Sequence, residues 1–270
     1  MRKKLYVDGV DLSTFGLYIS GQGTFGSGAK EYQYYNVPGR DGAVLGVNSR
    51  LENVSVTYPG FIYASFAQNM RDLRSFLLSR SGYVRIEDDY DSAHFRLGVF
   101  EEPISPDVTQ KNDAGRFDLV FNCLPQRWLK SGETEIVITD NNIHYINNTT
   151  KFASFPVFRV FGYGNFAVVN PWVMANGYGV KVMISADLPT DYPSISSIYL
   201  DSQNMTVWST ESPGTNLSPY IATAWTNDPY TLGTVDNESV DFPKLYPSNN
   251  DVKKQSTITE LRIAPKWWEA

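Results

Sequence analysis

Few side chains in this sequence could do chemistry by their type and spacing. The chain has two histidines, His94 and His144, and one cysteine, Cys123. It contains no His-x-x-x-His or Cys-x-x-Cys pair, so these residues predict no zinc site. There is no Gly-x-Ser-x-Gly nucleophile elbow, no phosphate-binding loop and no strand-linked dinucleotide fingerprint. The sequence therefore predicts no catalytic residues, no metal and no cofactor.

The acidic residues come closest to a reactive arrangement. Asp88, Asp89 and Asp91 surround Tyr90, and calcium prefers such clustered oxygen ligands. The segment lacks the glycine and the distal glutamate of a helix-loop-helix calcium site, so its composition favours a solvated turn between strands. The neighbouring Glu101-Glu102 pair resembles the carboxylates of a glycosidase, but adjacent residues of a strand point to opposite faces.

Tryptophans in the second half of the chain offer a different chemistry. Aromatic faces on a β-sandwich can stack on sugar rings, so one hypothesis is that Trp172, Trp208 and Trp225 bind host saccharide. The other is ordinary packing or subunit contact, because tryptophan and tyrosine are enriched in cores and at interfaces. The sequence alone leaves both open.

The charge of the chain argues against nucleic-acid binding. The formal net charge is -6 and the isoelectric point is about 5.0. The one local basic cluster is Arg2-Lys3-Lys4 at the N-terminus. Proteins that bind nucleic acid through its phosphates usually carry a basic face, so no specific nucleic-acid binding is predicted.

Neither secretion nor membrane insertion is predicted. Residues 1–7 combine their charges with too few apolar residues for a signal peptide. The most apolar stretch, residues 152–169, contains a proline, an arginine and two glycines, which argue against a membrane helix. Cys123 cannot form an internal disulfide, and its place in an alternating run predicts a buried core residue. We expect a soluble protein that is made in a cytoplasm.

Short strands and turns dominate the first half of the chain. The opening residues predict a hairpin that turns at Asp8-Gly9, and the glycine-rich residues 21–30 predict a loop. Apolar residues at every second position predict strands at 54–58, 83–86, 95–99 and 117–123. His94 and Arg96 fall on the polar phase of the third of these strands, so both side chains are expected on its exposed face.

One segment has helical rather than strand periodicity. Four apolar residues follow one another at spacings of four, three and four, which predicts an amphipathic helix whose apolar face packs in the core; they are Phe66, Met70, Leu73 and Leu77. Ser65 is the expected N-cap, and the helix is expected to end near Gly82.

A second series of strands follows the segment Lys130-Ser131-Gly132-Glu133, which is interpreted as a linker. Strands are predicted at 156–161, 165–169, 179–184, 197–200, 205–207 and 257–263, and asparagine-rich turns are predicted around Asn147-Asn148. Short strands at such intervals are typical of a β-sandwich or barrel. The predicted fold is mainly β, with domains at residues 1–130 and 134–270.

The order of several short motifs resembles the distal tail (Dit) family of long-tailed phages, the siphophages. In the first half they are Val37-Pro38-Gly39-Arg40-Asp41-Gly42, then Leu73-Arg74-Ser75-Phe76-Leu77 with Gly82-Tyr83 and Asp88-Asp89, then Phe121-Asn122-Cys123-Leu124-Pro125-Gln126-Arg127-Trp128. In the second half they are Tyr199-Leu200-Asp201-Ser202, Phe242-Pro243-Lys244-Leu245 and Ala264-Pro265-Lys266-Trp267-Trp268. Two departures are Lys266, where many relatives have arginine, and Lys253-Lys254-Gln255-Ser256, where a glycine is common.

This resemblance implies a structural role at the phage tail tip. Members of the family form a homo-hexameric ring from an N-terminal β-sandwich-like ring domain with one α-helix, and carry a C-terminal galectin-like β-sandwich outside. The ring joins the major tail (tube) protein to the tail-associated hub protein, and it often bears receptor-binding proteins. The tape measure protein passes through its lumen. The implied location is the virion, at the tail tip or baseplate, after synthesis in the host bacterial cytoplasm.

Arg40 and Asp41 are the candidate interface residues. Gly39 and Gly42 permit a tight turn that would project both side chains outward. One hypothesis pairs Arg40 across a subunit boundary, where charges fix register more than affinity. The other is an ordinary surface turn with a local Arg40–Asp41 contact.

Three functions compete at this stage. The first is a hexameric adaptor at the tail tip without catalysis. The second is a host-saccharide-binding module or adhesin that acts through the C-terminal sandwich. The third, a cell-wall hydrolase, requires a positioned acid and base or a metal, and the sequence offers neither. The chain is therefore expected not to be an enzyme.

Overall fold

The computed structural model describes residues 2–21, 23–46, 50–109, 113–170, 179–185, 197–209, 216–226, 238–239 and 242–270. Contacts between Cα atoms divide the chain into two compact units, residues 1–128 with residue 270, and residues 129–269. Both units consist of antiparallel strands, and the described part of the chain contains one α-helix. The expected mainly β fold with a single helix is confirmed.

The first unit is an antiparallel sheet with a helix packed on one face. Its elements in chain order are β1 (Leu5–Val7), β2 (Val10–Asp11), β3 (Leu17–Ile19), β4 (Gln33–Asn36), β5 (Ala43–Gly46), β6 (Val54–Ile62), α1 (Phe66–Leu78), β7 (Val84–Asp88), β8 (His94–Phe100), β9 (Asp107–Thr109), β10 (Ala114–Cys123) and β11 (Arg127–Leu129). Hydrogen bonds join the main strands in the order β2-β1-β7-β8-β10-β6-β3, with β9 beside β10 and β11 beside β8. β4 and β5 form a separate two-stranded sheet.

The opening hairpin is confirmed. Val7 lies opposite Val10, and the two residues of the turn between them both have positive φ, 49° at Asp8 and 76° at Gly9. A two-residue turn of this kind matches the twist of the flanking strands and favours Asp-Gly.

The core of the first unit lies between the sheet and α1. The longest pairing joins β6 to β10, from Val54 opposite Cys123 to Ile62 opposite Gly115. Alternate side chains of both strands are buried together with the four apolar helix residues. Cys123 is fully buried, as its position in the alternating run predicted.

The ends of α1 differ from the prediction. Ser65 has a left-handed backbone, with φ of 50°, and its side chain makes no capping hydrogen bond. An N-cap side chain reaches the first turn from an extended backbone, so this conformation turns the Ser65 hydroxyl away. The Asp113 carboxylate instead accepts a hydrogen bond from the Phe66 N–H at 3.1 Å. The helix ends at Leu78, four residues before Gly82.

The predicted exposure of His94 and Arg96 is wrong. Only 4% of Arg96 is exposed, and the His94 side chain is 19% exposed. The physical reason is the glycine-rich loop, which covers this face of β8 and accepts hydrogen bonds from Arg96 at the carbonyls of Thr24 and Gly26. The predicted alternation of β8 is correct, but the face that carries its polar residues is covered by this loop.

The second unit is a β-sandwich. Its strands are β12 (Ile136–Ile138), β13 (His144–Asn148), β14 (Val157–Gly162), β15 (Gly164–Val169), β16 (Gly179–Ile184), β17 (Ile198–Asp201), β18 (Thr206–Ser209), β19 (Ile221–Thr226), β20 (Glu238–Ser239), β21 (Ser248–Lys254), β22 (Ile258–Ala264) and β23 (Trp268–Glu269). One sheet has the order β12-β22-β14-β17-β18 and the other β13-β21-β15-β16-β19-β20. Buried residues of both sheets form one apolar cluster, in which the rings of Phe158 and Phe166 lie 5.1 Å apart.

The six strands predicted in the second half are present. The bounds of β16 are those predicted, and the bounds of the other five differ by one or two residues. The predicted turn at Asn147-Asn148 is wrong, because both residues belong to β13 and pair with Asn249 and Ser248 of β21. The Asn148 side chain donates to the carbonyls of Phe152 and Leu245 at 2.9 Å. These hydrogen bonds satisfy the buried Asn148 amide, so that a polar residue can occupy a buried position in the strand.

The segment interpreted as a linker is a short 3-10 helix, Lys130–Glu133. The Gly132 carbonyl accepts a hydrogen bond from the Lys266 N–H at 2.8 Å. A Cβ at Gly132 would lie 2.4 Å from the Trp267 backbone nitrogen, so the approach requires glycine. No helix in the described ranges is long and apolar enough to cross a membrane.

Candidate functional site

The candidate interface residues lie at the tip of the β4–β5 hairpin. Residues 37–42 connect the two strands, and Gly39 and Gly42 have φ of 79° and 78°. The Arg40 N–H donates to the Val37 carbonyl at 3.2 Å, which closes the turn. Arg40 and Asp41 are exposed, and among the described residues neither side chain has a hydrogen bond or an ion pair. The structure therefore does not show the local Arg40–Asp41 contact.

The hairpin presents apolar side chains to solvent. Tyr34 lies opposite Leu45, and 68% of Tyr34 and 47% of Leu45 are exposed. The Tyr32 ring lies 6.4 Å from the Tyr34 ring and is exposed too. An isolated two-stranded hairpin is at best marginally stable in water. Contiguous apolar exposure is a feature of many interaction surfaces.

The two legs of the hairpin are joined to each other at its base. Backbone hydrogen bonds run from Glu31 N–H to the Arg50 carbonyl and from Glu52 N–H to the Ala29 carbonyl. A Cβ at Gly28 would lie 2.5 Å from the Glu52 carbonyl oxygen, so glycine permits this close approach. Pairing between the two legs therefore continues beyond β4 and β5, while the tip remains exposed.

A buried carboxylate ties the glycine-rich loop to the core. Asp88 is 7% exposed and accepts hydrogen bonds from the Thr24 hydroxyl at 3.0 Å and the Tyr58 hydroxyl at 3.1 Å. It also accepts the N–H groups of Tyr90 and Asp91. Burial, and then the charge of Asp88, hold the pKa of Tyr58 well above its usual value. The prediction of a solvated turn is wrong for Asp88, because β7 carries this residue into the core.

Arg96 holds the same loop from the neighbouring strand. Its Nη2 donates to the carbonyls of Gly26 and Thr24. Burial lowers the pKa of Arg96, and its Nη1 makes no hydrogen bond with the described residues. The loop that precedes the hairpin is therefore bound at two kinds of group. Asp88 binds its Thr24 hydroxyl, and Arg96 binds its backbone carbonyls.

Asp91 is engaged by two basic side chains. The His94 Nδ1 lies 2.9 Å from its Oδ1, and Arg127 forms an ion pair with its Oδ2. Asp88 and Asp91 are therefore held by hydrogen bonds and ion pairs within the protein. In the described part of the chain, no group of three His, Cys, Asp or Glu residues is arranged to hold a metal. Glu101 and Glu102 are exposed, and Glu101 accepts a hydrogen bond from Asn122 at 3.1 Å.

Of the three candidate tryptophans, the structure describes the side chain of Trp208 alone. Trp172 lies outside the described residues, and for Trp225 only the backbone in β19 is described. Trp208 on β18 is half-buried and stacks on Tyr199 of β17, with ring centroids 5.6 Å apart. One face of its ring is therefore already occupied.

Sequence reasoning missed an aromatic and cationic row on this face of the second unit. The Arg159 guanidinium lies 4.9 Å from the Phe161 ring centroid and 5.3 Å from that of Tyr199. Arg262 lies 5.2 Å from the same Phe161 ring and pairs with Glu260 and Glu135. The alternation of Arg159 and Phe161 along β14 was the available signal, since both fall on one phase of the strand.

Comparison with known proteins adds evidence on the fold. No protein-family model and no curated protein matches this sequence. Among solved structures, the fold is shared with hub and baseplate proteins of bacteriophage tails. The chain is similar over 100% of both lengths to the Dit (gp 19.1) protein of phage SPP1, with a TM-score of 0.67 and 14% identity. That protein is described as a paradigm of the hub of the adsorption apparatus in phages that infect Gram-positive bacteria.

The baseplate of phage P2 provides a second similarity. In its activated conformation with calcium, one chain matches at a TM-score of 0.51 and 10% identity, covering 97% of this chain and 98% of that one. The strontium form matches at a TM-score of 0.50 and 10% identity, with 97% of each chain covered. The resemblance to the distal tail family is confirmed at the level of the fold.

Proposed function

We propose that this protein is a structural component of a long-tailed phage tail tip, within the baseplate hub. The observation that carries the proposal is the match of the entire chain to the entire SPP1 Dit protein at a TM-score of 0.67. Both units are included in that match, so the similarity extends beyond a single common β-sandwich. The two units correspond in this proposal to a ring domain at 1–130 and a galectin-like domain at 134–270.

The proposed assembly is a homo-hexameric ring in the virion. The ring joins the tail tube protein to the tail-associated hub protein and carries receptor-binding proteins, while the tape measure protein passes through its lumen. A ring of identical subunits closes through contacts between two different surfaces of each copy. The exposed hairpin with Arg40 and Asp41 supplies one such surface.

The role is structural rather than catalytic. The charged groups of the first unit's polar cluster are engaged within the protein. Asp88 accepts from the Thr24 hydroxyl, Arg96 donates to the Gly26 carbonyl, and Asp91 forms an ion pair with Arg127. Catalysis needs a group that is positioned and able to reach a substrate, whereas these side chains hold the loop in place. This supports an architectural use of the cluster.

A second candidate function is saccharide binding by the second unit. It is favoured by the row formed by Arg159, Tyr199 and Trp208, because aromatic rings and a guanidinium suit the apolar and hydroxyl faces of sugars. Glycan-array binding by the full chain, abolished by Tyr199→Ala and Arg159→Ala, is the expected result. Retention of binding in both variants would refute this site.

Mass in solution tests the structural proposal. Size-exclusion chromatography with light scattering over a concentration series should show a species of about 182 kDa, six times the 30.4 kDa subunit. Electron microscopy of that species should show a closed ring with six-fold symmetry. If the chain is monomeric alone, the measurement is repeated with the tube protein and then the hub protein. A monomer in all three measurements, alone, with the tube protein and with the hub protein, contradicts the proposal.

A further inference from the structure

A row of four side chains crosses the outer face of the five-stranded sheet in the second unit. Arg159 of β14 lies opposite Arg262 of β22 on one side and Tyr199 of β17 on the other. Tyr199 in turn lies opposite Trp208 of the edge strand β18. Their neighbours along each strand are buried, so these four side chains project away from the core. Together they form an outer row that spans about 14 Å.

The two arginines of the outer row differ in the balance of their charge. Arg262 forms ion pairs with Glu260 and Glu135. Arg159 has no ion pair within the described part of the chain, and its one hydrogen bond runs from Nε to the Ser197 hydroxyl at 2.9 Å. Arg159 is half-buried, and its Nη1 and Nη2 are the donors that remain for a ligand on this face.

The contacts of Arg159 fix its guanidinium before any ligand arrives. The group lies 4.9 Å from the Phe161 ring centroid and 5.3 Å from that of Tyr199. The hydrogen bond to Ser197 restricts its rotation further. Arginine binds carboxylate and phosphate through two parallel N–H groups. Because Nε is engaged, the fork that can bind an anion in this way consists of Nη1 and Nη2.

One carboxylate on this face is already engaged. Asp201 follows Tyr199 by two residues on β17, and it accepts hydrogen bonds from the N–H groups of Gln203 and Asn204. It also accepts the side-chain amide of Asn204 at 2.7 Å. Among the described residues, Asp201 forms no ion pair with Arg159.

The aromatic end of the outer row has a ring face that stacks on nothing in the described residues. The Trp208 ring stacks on Tyr199 with centroids 5.6 Å apart and planes 20° apart. This is its one ring contact in the described part of the chain. Two strand spacings separate β14 from β18, so Arg159 and Trp208 are about 10 Å apart. A ligand that contacts both must therefore be longer than one sugar ring.

We propose that the outer row binds an acidic oligosaccharide. Nη1 and Nη2 of Arg159 bind a carboxylate or phosphate group of the ligand, and Trp208 stacks on the apolar face of a sugar ring further along it. The inference rests on the saccharide-binding candidate described above, and it names the class of ligand. The single uncompensated charge of Arg159 selects an anionic ligand, and the unstacked Trp208 face favours a sugar over an acidic peptide.

A glycan array of matched pairs tests the ligand class on the full chain. It pairs uronate oligosaccharides with their methyl esters and phosphorylated oligosaccharides with their dephosphorylated forms, so that each pair differs in charge alone. Acidic members should bind about tenfold or more tightly than their neutral forms. Binding should weaken as sodium chloride is raised, because salt screens the charge pair. The stronger of the two acidic sets identifies carboxylate or phosphate as the anion.

Substitutions at the two ends of the outer row test the assigned contacts. Arg159→Gln should weaken binding of the acidic oligosaccharides about tenfold or more, whereas Arg159→Lys keeps the charge without the fork and should lose less. Trp208→Leu should weaken binding of the same oligosaccharides but not that of the corresponding acidic monosaccharides. Arg71→Gln, which removes the same charge from exposed α1, is the matched control and should leave binding unchanged.

The outcomes separate this inference from the candidate function on which it rests. Equal binding of acidic and neutral forms overturns the acidic class and leaves saccharide binding in place. Polyglutamate that binds as tightly as the best acidic oligosaccharide also overturns the inference, because the outer row would then be a peptide site. The absence of binding to every glycan overturns both the inference and the saccharide-binding candidate.

Discussion

The Tyr58 hydroxyl donates a hydrogen bond to the Asp88 carboxylate at 3.1 Å within the interior of the first unit. Tyr58 comes from β6 and Asp88 from the end of β7, and these strands are not neighbours in the sheet. The bond therefore connects separate parts of the sheet across its interior. Asp88 also binds the Thr24 hydroxyl, so one carboxylate joins two strands and the glycine-rich loop.

The two partners of this bond should differ in their effect on stability. Tyr58→Phe removes one hydrogen bond and should lower the free energy of unfolding by about 1 kcal/mol. Asp88→Ala leaves the Tyr58 and Thr24 hydroxyls and two N–H groups without their acceptor, and should cost about 3 kcal/mol or more. Urea denaturation of both variants and of the double variant measures the coupling. Additive losses would show that the bond contributes nothing.

Loss of Arg96 should loosen the loop while leaving the sheet folded. Arg96→Met keeps the apolar length of the side chain but removes the donors to the Gly26 and Thr24 carbonyls. Hydrogen exchange of residues 23–26 should accelerate about tenfold or more, because local opening becomes easier. Arg85→Met, on the adjacent strand β7, is the control and should leave exchange in this loop unchanged. Equal exchange in wild type and Arg96→Met would contradict this role.

Two substitutions at the N-terminus of α1 should change the stability of the protein in opposite directions. Asp113→Ala removes the acceptor of the Phe66 N–H and should lower stability by about 1 kcal/mol. Ser65→Gly relieves a left-handed backbone at a residue with a side chain, and should raise stability by up to about 1 kcal/mol. Thermal unfolding of both variants tests this pair. A larger loss for Ser65→Ala than for Asp113→Ala would mean that Ser65 is the cap after all.

Local periodicity explains which elements could be predicted from the sequence. The strands β6 and β10 each place their buried residues on one phase, and α1 places its buried residues on one face. Burial then follows from the residues of the element itself. The turn at the hairpin tip was predictable for the same reason, since Gly39 and Gly42 favour it locally.

The failures share a different cause. Arg96 is buried because residues far earlier in the chain fold over it, and Asn148 lies in a strand because Leu245 supplies an acceptor for its amide. Tyr18 lies beside Phe61 because β3 pairs with β6. None of these relationships has a signal in the neighbouring sequence, so tertiary contacts decide them.

Among the side-chain amides of the second unit, Asn250 should be the one whose substitution lowers stability most. Its side-chain NH₂ donates to the carbonyls of Ile146, Tyr246 and Ser248, while its Oδ1 accepts the Tyr246 N–H. Asn250→Asp would place a carboxylate oxygen against these carbonyls and should destabilise the unit by about 3 kcal/mol or more. Asn147→Asp, on the exposed phase of β13, is the control and should change stability little. Chemical denaturation monitored on the second unit measures both.

The thiol of Cys123 should make stability fall at high pH. Burial raises its pKa to about 12, whereas an unfolded cysteine has a pKa of about 8.5. Above that lower value the unfolded chain releases a proton that the folded chain retains, so the unfolded state gains stability as pH rises. Between pH 7 and pH 10 the contribution lost is about 2 kcal/mol. Cys123→Ala lacks this contribution, so the stability difference between the two proteins should shift by that amount. A difference that does not change with pH would contradict the buried, protonated thiol.

The pairing of β12 and β14 with β22 has a consequence for how the chain is synthesised. Both strands hydrogen-bond to β22, which follows β14 by almost one hundred residues. In the first unit, the strands β2-β1-β7-β8-β10-β6-β3 all end before residue 124. Their sheet can therefore form while the ribosome is still translating the rest of the chain. The five-stranded sheet of the second unit lacks the strand between β12 and β14 until residues 258–264 have emerged. Premature termination shortly before them would leave two unpaired strand edges, which favour aggregation.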